Sequence, residues 1–315
     1  MSGPVEAPRR RRERAPARLH GILPLNKAVG ITSFQAVREV RRILGERRVG
    51  HAGTLDPAAT GLLPICVGQA TRLVDHLHQQ PKRYHCVFRL GERSSTLDLE
   101  GEVRRSGDAS AVDAAAVRRV LGRFVGDIEQ VPPMHSAVRH DGQHLYELAR
   151  RGVEVERQPR AVTILEARLL DVRPGEVAEA EVDVLCSKGT YMRVLASDVG
   201  DALGTGGLLA WLERTAYGPL TLADSVTVEE LVAMEDPAVA LRPLDVAVSF
   251  LPRVDLAPAQ ALQVRRGQSV WLPRLPEPRP RGACRAHSAH GQLLALGELQ
   301  GNLYRPTKVL AETTT

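Results

Sequence analysis

The chain has 315 residues, 43% of them apolar and 25% charged, with four cysteines and a formal net charge of +5. This composition excludes a disulfide-stapled miniprotein and a wholly disordered chain. No apolar run reaches the roughly 20 residues a membrane helix needs, and the length allows two domains.

The positive charge is uneven. Residues 1–18 hold six Arg and two Glu, so +4 of the +5 sits there. Such a Pro/Arg tail is expected to be disordered and to add affinity for polyanions without sequence preference. It lacks the apolar stretch of a secretory signal, so a cytoplasmic protein is expected. None of Cys66, Cys86, Cys186 and Cys284 forms a C-x-x-C pair. They read as reduced, structural thiols.

"LHGILPLNK" (19–27) reads as a strand. "TSFQAVREVRRILG" follows as a helix, with Thr32 as cap, Gln35 completing a capping box and Gly45 as terminator. Phe34, Val37, Val40 and Leu44 recur at helical spacing and are assigned to the core, which leaves a basic opposite face. The next stretch, "GHAGTLDPAATGLLPICVG", places one carboxylate, Asp56, in a loop before a buried strand. A lone Asp before Pro is usually a turn residue or a helix cap. The other reading is a side chain presented to a ligand, with Gly50, Gly53 and Gly61 shaping the loop. "ATRLVDHLH" reads as a short helix.

"KRYHCVFRLG" alternates, so Tyr84, Cys86, Phe88 and Leu90 share one face of a strand. "AVDAAAVRRVLGRFVG" is a helix. "RAVTILEARLLDVRPG" and "VAEAEVDVLCSKG" are two strands joined by a Pro-Gly turn. "TYMRVLASDVGDALG" is a helix opened by Thr190. Its Arg193, between Met192 and Val194, either snorkels to solvent or forms half of a buried ion pair. In the second case Asp56 is the candidate partner. Strands and helices mix without regular βαβ alternation, which gives an α+β fold with a mostly antiparallel mixed sheet. Near Leu251 the texture changes to short strands around a Pro/Arg loop, the mark of a small β-rich second domain.

Several patterns lead nowhere. "LGTGGLL" follows a helix rather than a strand, and there is neither a P-loop nor a G-x-S-x-G elbow. Cys284, His287 and His290 lack a fourth ligand and are read as part of a solvated Pro-rich loop. His140 and His144 lack a third. No metal site is expected.

The segments "LPLNKAVGITSFQAVREVRRIL", "VGHAGTLDPAATGLLPICVGQATRL", "KRYHCVFRLGERSSTLDLEGEV", "QVPPMHSAVRHDGQHLYELARRGVEVER", "CSKGTYMRVLASDVGDALGTGGLLAWLERTAYGP" and "PLDVAV" resemble, in order, the TruB family of bacterial tRNA pseudouridine synthases. The H-x-G-T-L-D-P-x-A-T-G signature is the most specific of them. The C-terminal stretch is similar to a PUA-type RNA-binding domain. Beyond the tail expected to be disordered over 1–18, this resemblance implies a pseudouridine-synthase domain over 19–250 and a PUA-like domain over 251–315. It implies isomerisation of the T-loop uridine numbered 55 in tRNA, by base flipping, with no metal and no organic cofactor, in a monomer needing no protein partner.

The resemblance also implies roles. Asp56 falls on the catalytic aspartate, Tyr84 on the tyrosine that stacks on the target base, and Arg193 on the arginine paired with the carboxylate. Tyr191 falls on a base-contacting tyrosine, His51 on the histidine that helps hold the everted nucleotide, and Leu212 on a pocket-lining leucine. Whether Asp56 attacks the uracil ring or C1′, or assists loss of a C2′ proton, stays open. Ala28, Ala52 and His135 depart from the usual proline, threonine and tyrosine and bear on RNA contact. The rival readings are a non-catalytic RNA-binding protein, a metal hydrolase and a guide-RNA-dependent synthase of the dyskerin type. The intact Asp56, Tyr84 and Arg193 set favours the enzyme.

Overall fold

The computed structural model describes residues 19–310 except 137, 276, 277, 279 and 280. The Arg-rich tail expected over 1–18 lies outside the described residues. β1 (Gly21–Lys27) and β3 (Thr60–Val67) are almost continuously buried and pair antiparallel, with β2 (Val49–His51) also on β3. Between them α1 (Ser33–Leu44) starts at the capping box of Thr32 and Gln35 and stops at Gly45, whose φ is 65°. A short α2 (Val74–Gln79) leads into β4 (Lys82–Leu90). A small hairpin, β5 (Glu92–Arg93) and β6 (Arg104–Arg105), frames a loop before α3 (Ala114–Arg123), which Asp113 caps.

β7 (Gly126–Gln130) follows, then a second small hairpin, β8 (Arg139–His140) and β9 (Gln143–His144), and α4 (Leu145–Arg150). The expected Pro-Gly hairpin is β10 (Arg160–Arg173) with β11 (Ala178–Cys186). α5 (Met192–Ala202), β12 (Gly207–Tyr217), β13 (Leu220–Thr221) and α6 (Val228–Ala233) complete this part. The sheet runs β1-β3-β12-β4-β11-β10-β7, with β13 added to β12. Among the described residues the β3–β12 contact is its one parallel pairing, so the α+β fold with a mostly antiparallel mixed sheet stands.

A second, five-stranded sheet runs β14-β16-β17-β18-β15. It is built from β14 (Arg253–Asp255), β15 (Val270–Trp271), β16 (Gly282–His287), β17 (Leu293–Gln300) and β18 (Leu303–Val309), with α7 (Pro258–Arg265).

Two cores meet under the large sheet. Cys86, Phe88 and Leu90 of β4 join Val182 and Val184 of β11 beneath Val117, Leu121, Leu195 and Val199 of α3 and α5. Leu23, Leu63 and Ile65 lie against Ala36, Val37 and Val40 of α1. Tyr84 and Leu212 pack against both cores, at their seam. A third core is shared by the two sheets. In it Leu293, Leu296 and Leu310 contribute to the same apolar cluster as Ile22, Leu62, Cys66, Leu73 and Leu77.

Four local expectations are corrected. The inward residues of α1 are Ser33, Ala36, Val37 and Val40, an i, i+3, i+4, i+7 set that leaves Phe34 63% exposed. Gly50 pairs with Cys66 in β2 as an ordinary strand residue. Tyr191, not Thr190, is the N-cap of α5, and Thr190 Oγ1 instead donates to the Ser187 carbonyl. Cys284 and His287 do not lie in a solvated loop. Both are buried on β16, and His287 Nε2 is 2.7 Å from Asp245 Oδ1.

Candidate active site

The Asp56 turn joins β2 to β3, and its backbone is tied down at nearly every step. Ser33, the first residue of α1, grips Leu55 twice: its hydroxyl donates to the Leu55 carbonyl at 3.0 Å and accepts from the Leu55 N–H at 2.9 Å. Gly30 N–H donates to the Pro57 carbonyl at 2.8 Å. The fully buried Lys27 ammonium donates to the carbonyls of Ala28, Ile31 and Pro57. Burial brings that ammonium down to about 8. Gly61, at φ +95°, lies so close to β12 that a Cβ would sit 2.5 Å from the Arg214 carbonyl oxygen. Only glycine fits there.

Asp56 itself is half-exposed, while its partner is not. Arg193 projects from the first turn of α5, 7% exposed, and its Nη2 lies 3.1 Å from Asp56 Oδ2. The snorkelling alternative is therefore excluded: Arg193 is the buried half of an ion pair whose other half, Asp56, is half-exposed. The same guanidinium lies 3.4 Å from Asp98 Oδ2 through Nη1 and donates to the carbonyls of Thr96 and His135. Two carboxylates and two carbonyls thus surround one planar cation and fix its orientation.

Asp98 was not singled out from the sequence. Leu97 before it has φ 62°, an unusual value for a non-glycine residue. Its carbonyl accepts from Leu209 N–H at 2.9 Å, and Ser94 Oγ accepts from Asp98 N–H at 3.1 Å. Those ties hold the carboxylate toward Arg193.

Tyr191 is held by its backbone. Its N–H donates to Gln130 Oε1 at 2.9 Å, and its carbonyl accepts from Gln130 Nε2 at 3.3 Å. Gln130, 2% exposed at the end of β7, acts as a one-residue strand partner.

These elements enclose a cleft of about 580 Å³, lined by Asp56, Tyr84, Tyr191, Arg193 and Leu212 among others. Five of the six residues marked in the sequence therefore converge. The sixth, His51, ends β2 and is absent from the lining. Burial, then the charges of Arg214 and His78, hold its pKa below the usual histidine value, and its Nδ1 is buried without a partner. Tyr84 and Leu212 bring the apolar surface of the seam to the cleft. Burial pushes the Tyr84 phenol up to about 12. The lining also holds basic groups that the sequence reading missed: His78, Lys82, Arg160, Lys188 and Arg214. Lys82 and Arg214 belong to strands, where a basic residue ordinarily signals a solvent face.

The TruB family pseudouridylate synthase model (N-terminal domain) matches residues 41–192, which include Asp56, Tyr84 and Tyr191. The chain is 44% identical over 270 residues to the tRNA pseudouridine synthase B of Saccharophagus degradans, covering 84% of this chain and 86% of that protein. It is 43% identical over 301 residues to that of Thiobacillus denitrificans, covering 94% and 98%. The chain belongs to the TruB family of tRNA pseudouridine synthases. Among solved structures, a Cbf5–Nop10–Gar1 complex aligns with a TM-score of 0.70 at 25% identity, over 93% of this chain and 85% of the matched one. An H/ACA RNP bound to a substrate RNA containing 2′-deoxyuridine aligns with a TM-score of 0.71 at 24% identity, over 93% and 86%. The latter likeness concerns the fold. Family membership removes the metal hydrolase from the rival readings. Among the described residues no group of three or more His, Cys, Asp or Glu could hold a metal ion. No helix among them is long and apolar enough to cross a membrane.

Proposed function

We propose that this tRNA pseudouridine synthase acts on the T-loop uridine conventionally numbered 55, with Asp56 as the reacting carboxylate and without a cofactor. The observation that carries the reading is the placement of Asp56. It stands at a cleft, charge-paired to a buried Arg193, and Tyr84 and Tyr191 line the same cleft.

The chemistry suits these groups. Isomerisation breaks the N1–C1′ bond, turns the uracil, joins C5 to C1′ and moves one proton from C5 to nitrogen. No atoms leave, so no redox or carrier group is needed. A carboxylate is a weak nucleophile and works only when precisely placed, a placement that the Arg193 contact and the tied turn support. Flipping the base costs a few kcal/mol. A stack on Tyr84 and apolar contact with Leu212 would recover it. A phenol pushed up to about 12 is a poor base at neutral pH, which favours stacking over proton transfer for Tyr84. Arg160 and Lys188 line the cleft as well and suit the phosphates of an RNA loop.

The purified chain alone, given an unmodified tRNA transcript, is expected to form pseudouridine at that position, read by carbodiimide mapping. Asp56→Asn is expected to bind the transcript and form none. Substantial turnover by Asp56→Asn would refute the assignment. A requirement for added protein or guide RNA would favour the dyskerin-type reading over a stand-alone enzyme.

A further inference from the structure

The Asp56 turn has one further attachment, and no residue of the expected catalytic set makes it. At Gly53, where the chain leaves β2, both sides of the backbone are held by side chains. Gly53 N–H donates to His78 Nε2 at 3.1 Å, and the Gly53 carbonyl accepts from Arg214 Nη2 at 2.9 Å. His78 lies near the end of α2 and Arg214 in β12, so the grip ties the turn to two separate elements. Gly53 has φ +71°, and a Cβ there would meet Tyr217 Cε2 at 2.9 Å. The residue is fitted to this spot as well as bonded in it.

Arg214 is anchored for the task. It is 1% exposed, its Nε donates to the Leu62 carbonyl at 2.7 Å, and its guanidinium carbon is 5.1 Å from the Tyr217 ring centre. Among the described residues it makes no ion pair with a carboxylate. Its backbone contacts go to carbonyls at the two ends of the Asp56 turn, Gly53 before and Leu62 after, and its guanidinium also interacts with the Tyr84 hydroxyl. His78 is anchored through its own carbonyl, which accepts from the Lys82 ammonium at 2.7 Å. Lys82 in turn sits 4.5 Å from the centre of the same Tyr217 ring.

We propose that His78 and Arg214 are positioning residues whose joint grip on the two peptide groups flanking the Gly53 Cα fixes the turn that carries Asp56. The inference rests on Asp56 being the reacting group. Geometry sets the state His78 must hold. Its Nε2 faces an N–H, so that nitrogen must offer a lone pair, and the proton of the neutral ring belongs on Nδ1. A doubly protonated ring would set two donors against each other and release the peptide. The surroundings favour the neutral ring. Burial lowers the His78 pKa, as do Lys82, Lys188 and Arg214, while Asp75 opposes them. His51, also within electrostatic reach, is itself held below its usual value.

The test is single-turnover kinetics on an unmodified tRNA transcript between pH 5 and 8, with a thermal melt of each variant. His78→Leu removes the acceptor and is expected to lower the rate on the order of 10-fold at pH 7, with half-saturating tRNA unchanged. His78→Gln, whose amide oxygen reaches the place of Nε2 and does not titrate, is expected to keep the pH 7 rate. It is also expected to lose the acid limb that His78 imposes below its ordinary value near 6.5. Arg214→Lys supplies one donor arm where two are used and is expected to fall with His78→Leu. Folded His78→Leu with the wild-type rate and acid limb would overturn the proposal. So would His78→Gln that is as slow as His78→Leu. Asp56→Asn, run beside them, separates the two ideas. If it turns over, the reading of Asp56 has failed. If it is inert while His78→Leu and Arg214→Lys are normal, the grip alone has failed.

Discussion

Arg193 Nη1 lies 3.4 Å from Asp98 Oδ2, on a guanidinium whose Nη2 lies 3.1 Å from Asp56 Oδ2. The two carboxylates differ in exposure: the Asp98 side chain is 14% exposed and that of Asp56 49%. Asp98 therefore holds Arg193 from the buried side, and Arg193 presents its other arm to Asp56, the proposed reacting group. Asp98→Asn keeps the shape and removes the charge that orients the arginine. Displacement of a catalytic group by about 1 Å costs about 10²-fold in rate. A loss of that order in single-turnover rate is expected, with tRNA affinity retained. An unchanged rate would show that Asp56 and the carbonyls of Thr96 and His135 suffice to hold Arg193.

Arg193→Met leaves Asp98 buried beside no cation. Breaking a buried pair by removing one partner costs roughly 3–5 kcal/mol. The melt is expected to drop by several degrees and the chemical step to be lost. Arg193→Lys separates charge from geometry, because one ammonium cannot reproduce the planar fork between two carboxylates. It is expected to recover part of the melt and little of the rate. Full recovery of rate by lysine would mean that charge alone matters.

The way Arg193 is used marks the boundary of what could be read in sequence. Strands were legible where alternation is strict, as in β4 and β11, because one buried face imposes a period of two. The capping box of α1 was legible because it is local chemistry. Asp56, Tyr84, Tyr191, Arg193 and Leu212 were marked through resemblance, and the fold brings them to one cleft. Asp98, Gln130, His78 and Arg214 were not marked. Each acts through a partner at least 25 residues away, such as Gln130 on Tyr191 and Arg214 on Gly53. No local period or motif encodes such a pairing. Phe34 was misplaced for a related reason. Spacing fixes which residues share a face, but the neighbours decide which face turns inward.

Tyr84 gives a prediction with two readouts. Its ring lies at the seam of the two cores and lines the cleft. Base–aromatic stacking is worth about 1–3 kcal/mol per base. Tyr84→Leu is accordingly expected to lose about 10- to 100-fold in kcat/KM. The second readout is the alkaline side of the pH–rate profile. With the phenol pushed up to about 12, Tyr84 contributes no limb near its ordinary value of about 10. An alkaline limb near pH 10 that vanishes in Tyr84→Phe would mean that the hydroxyl titrates in the working range.

The last prediction concerns the second sheet. A PUA-like module that merely docks on RNA could be removed at a cost in KM alone, since uniform binding acts there. The packing points elsewhere. Leu293, Leu296 and Leu310 share a core with Ile22, Leu62, Cys66, Leu73 and Leu77, and the strand that carries Leu62 also leaves the Asp56 turn. Full burial of one leucine is worth about 1.5–3 kcal/mol, against about 5–15 kcal/mol for a whole native protein. Polar ties add to this: Arg72 donates to the Val309 carbonyl at 2.6 Å, and Asp245 is paired with both Arg285 and His287. Deleting 251–315 is therefore expected to abolish the cooperative melt instead of raising KM in an otherwise sound enzyme. A finer test uses pH. Burial holds the His287 pKa below its ordinary 6.5 despite the pull of Asp245. As pH falls through 6.5 the unfolded chain takes up that proton before the native one does, so this contribution to stability is present above 6.5 and declines below it. The melting midpoint is expected to fall between pH 7 and 5.5, and His287→Gln to flatten that fall. A truncated protein that melts at the full-length midpoint, with an unchanged kcat, would show that the shared core is dispensable.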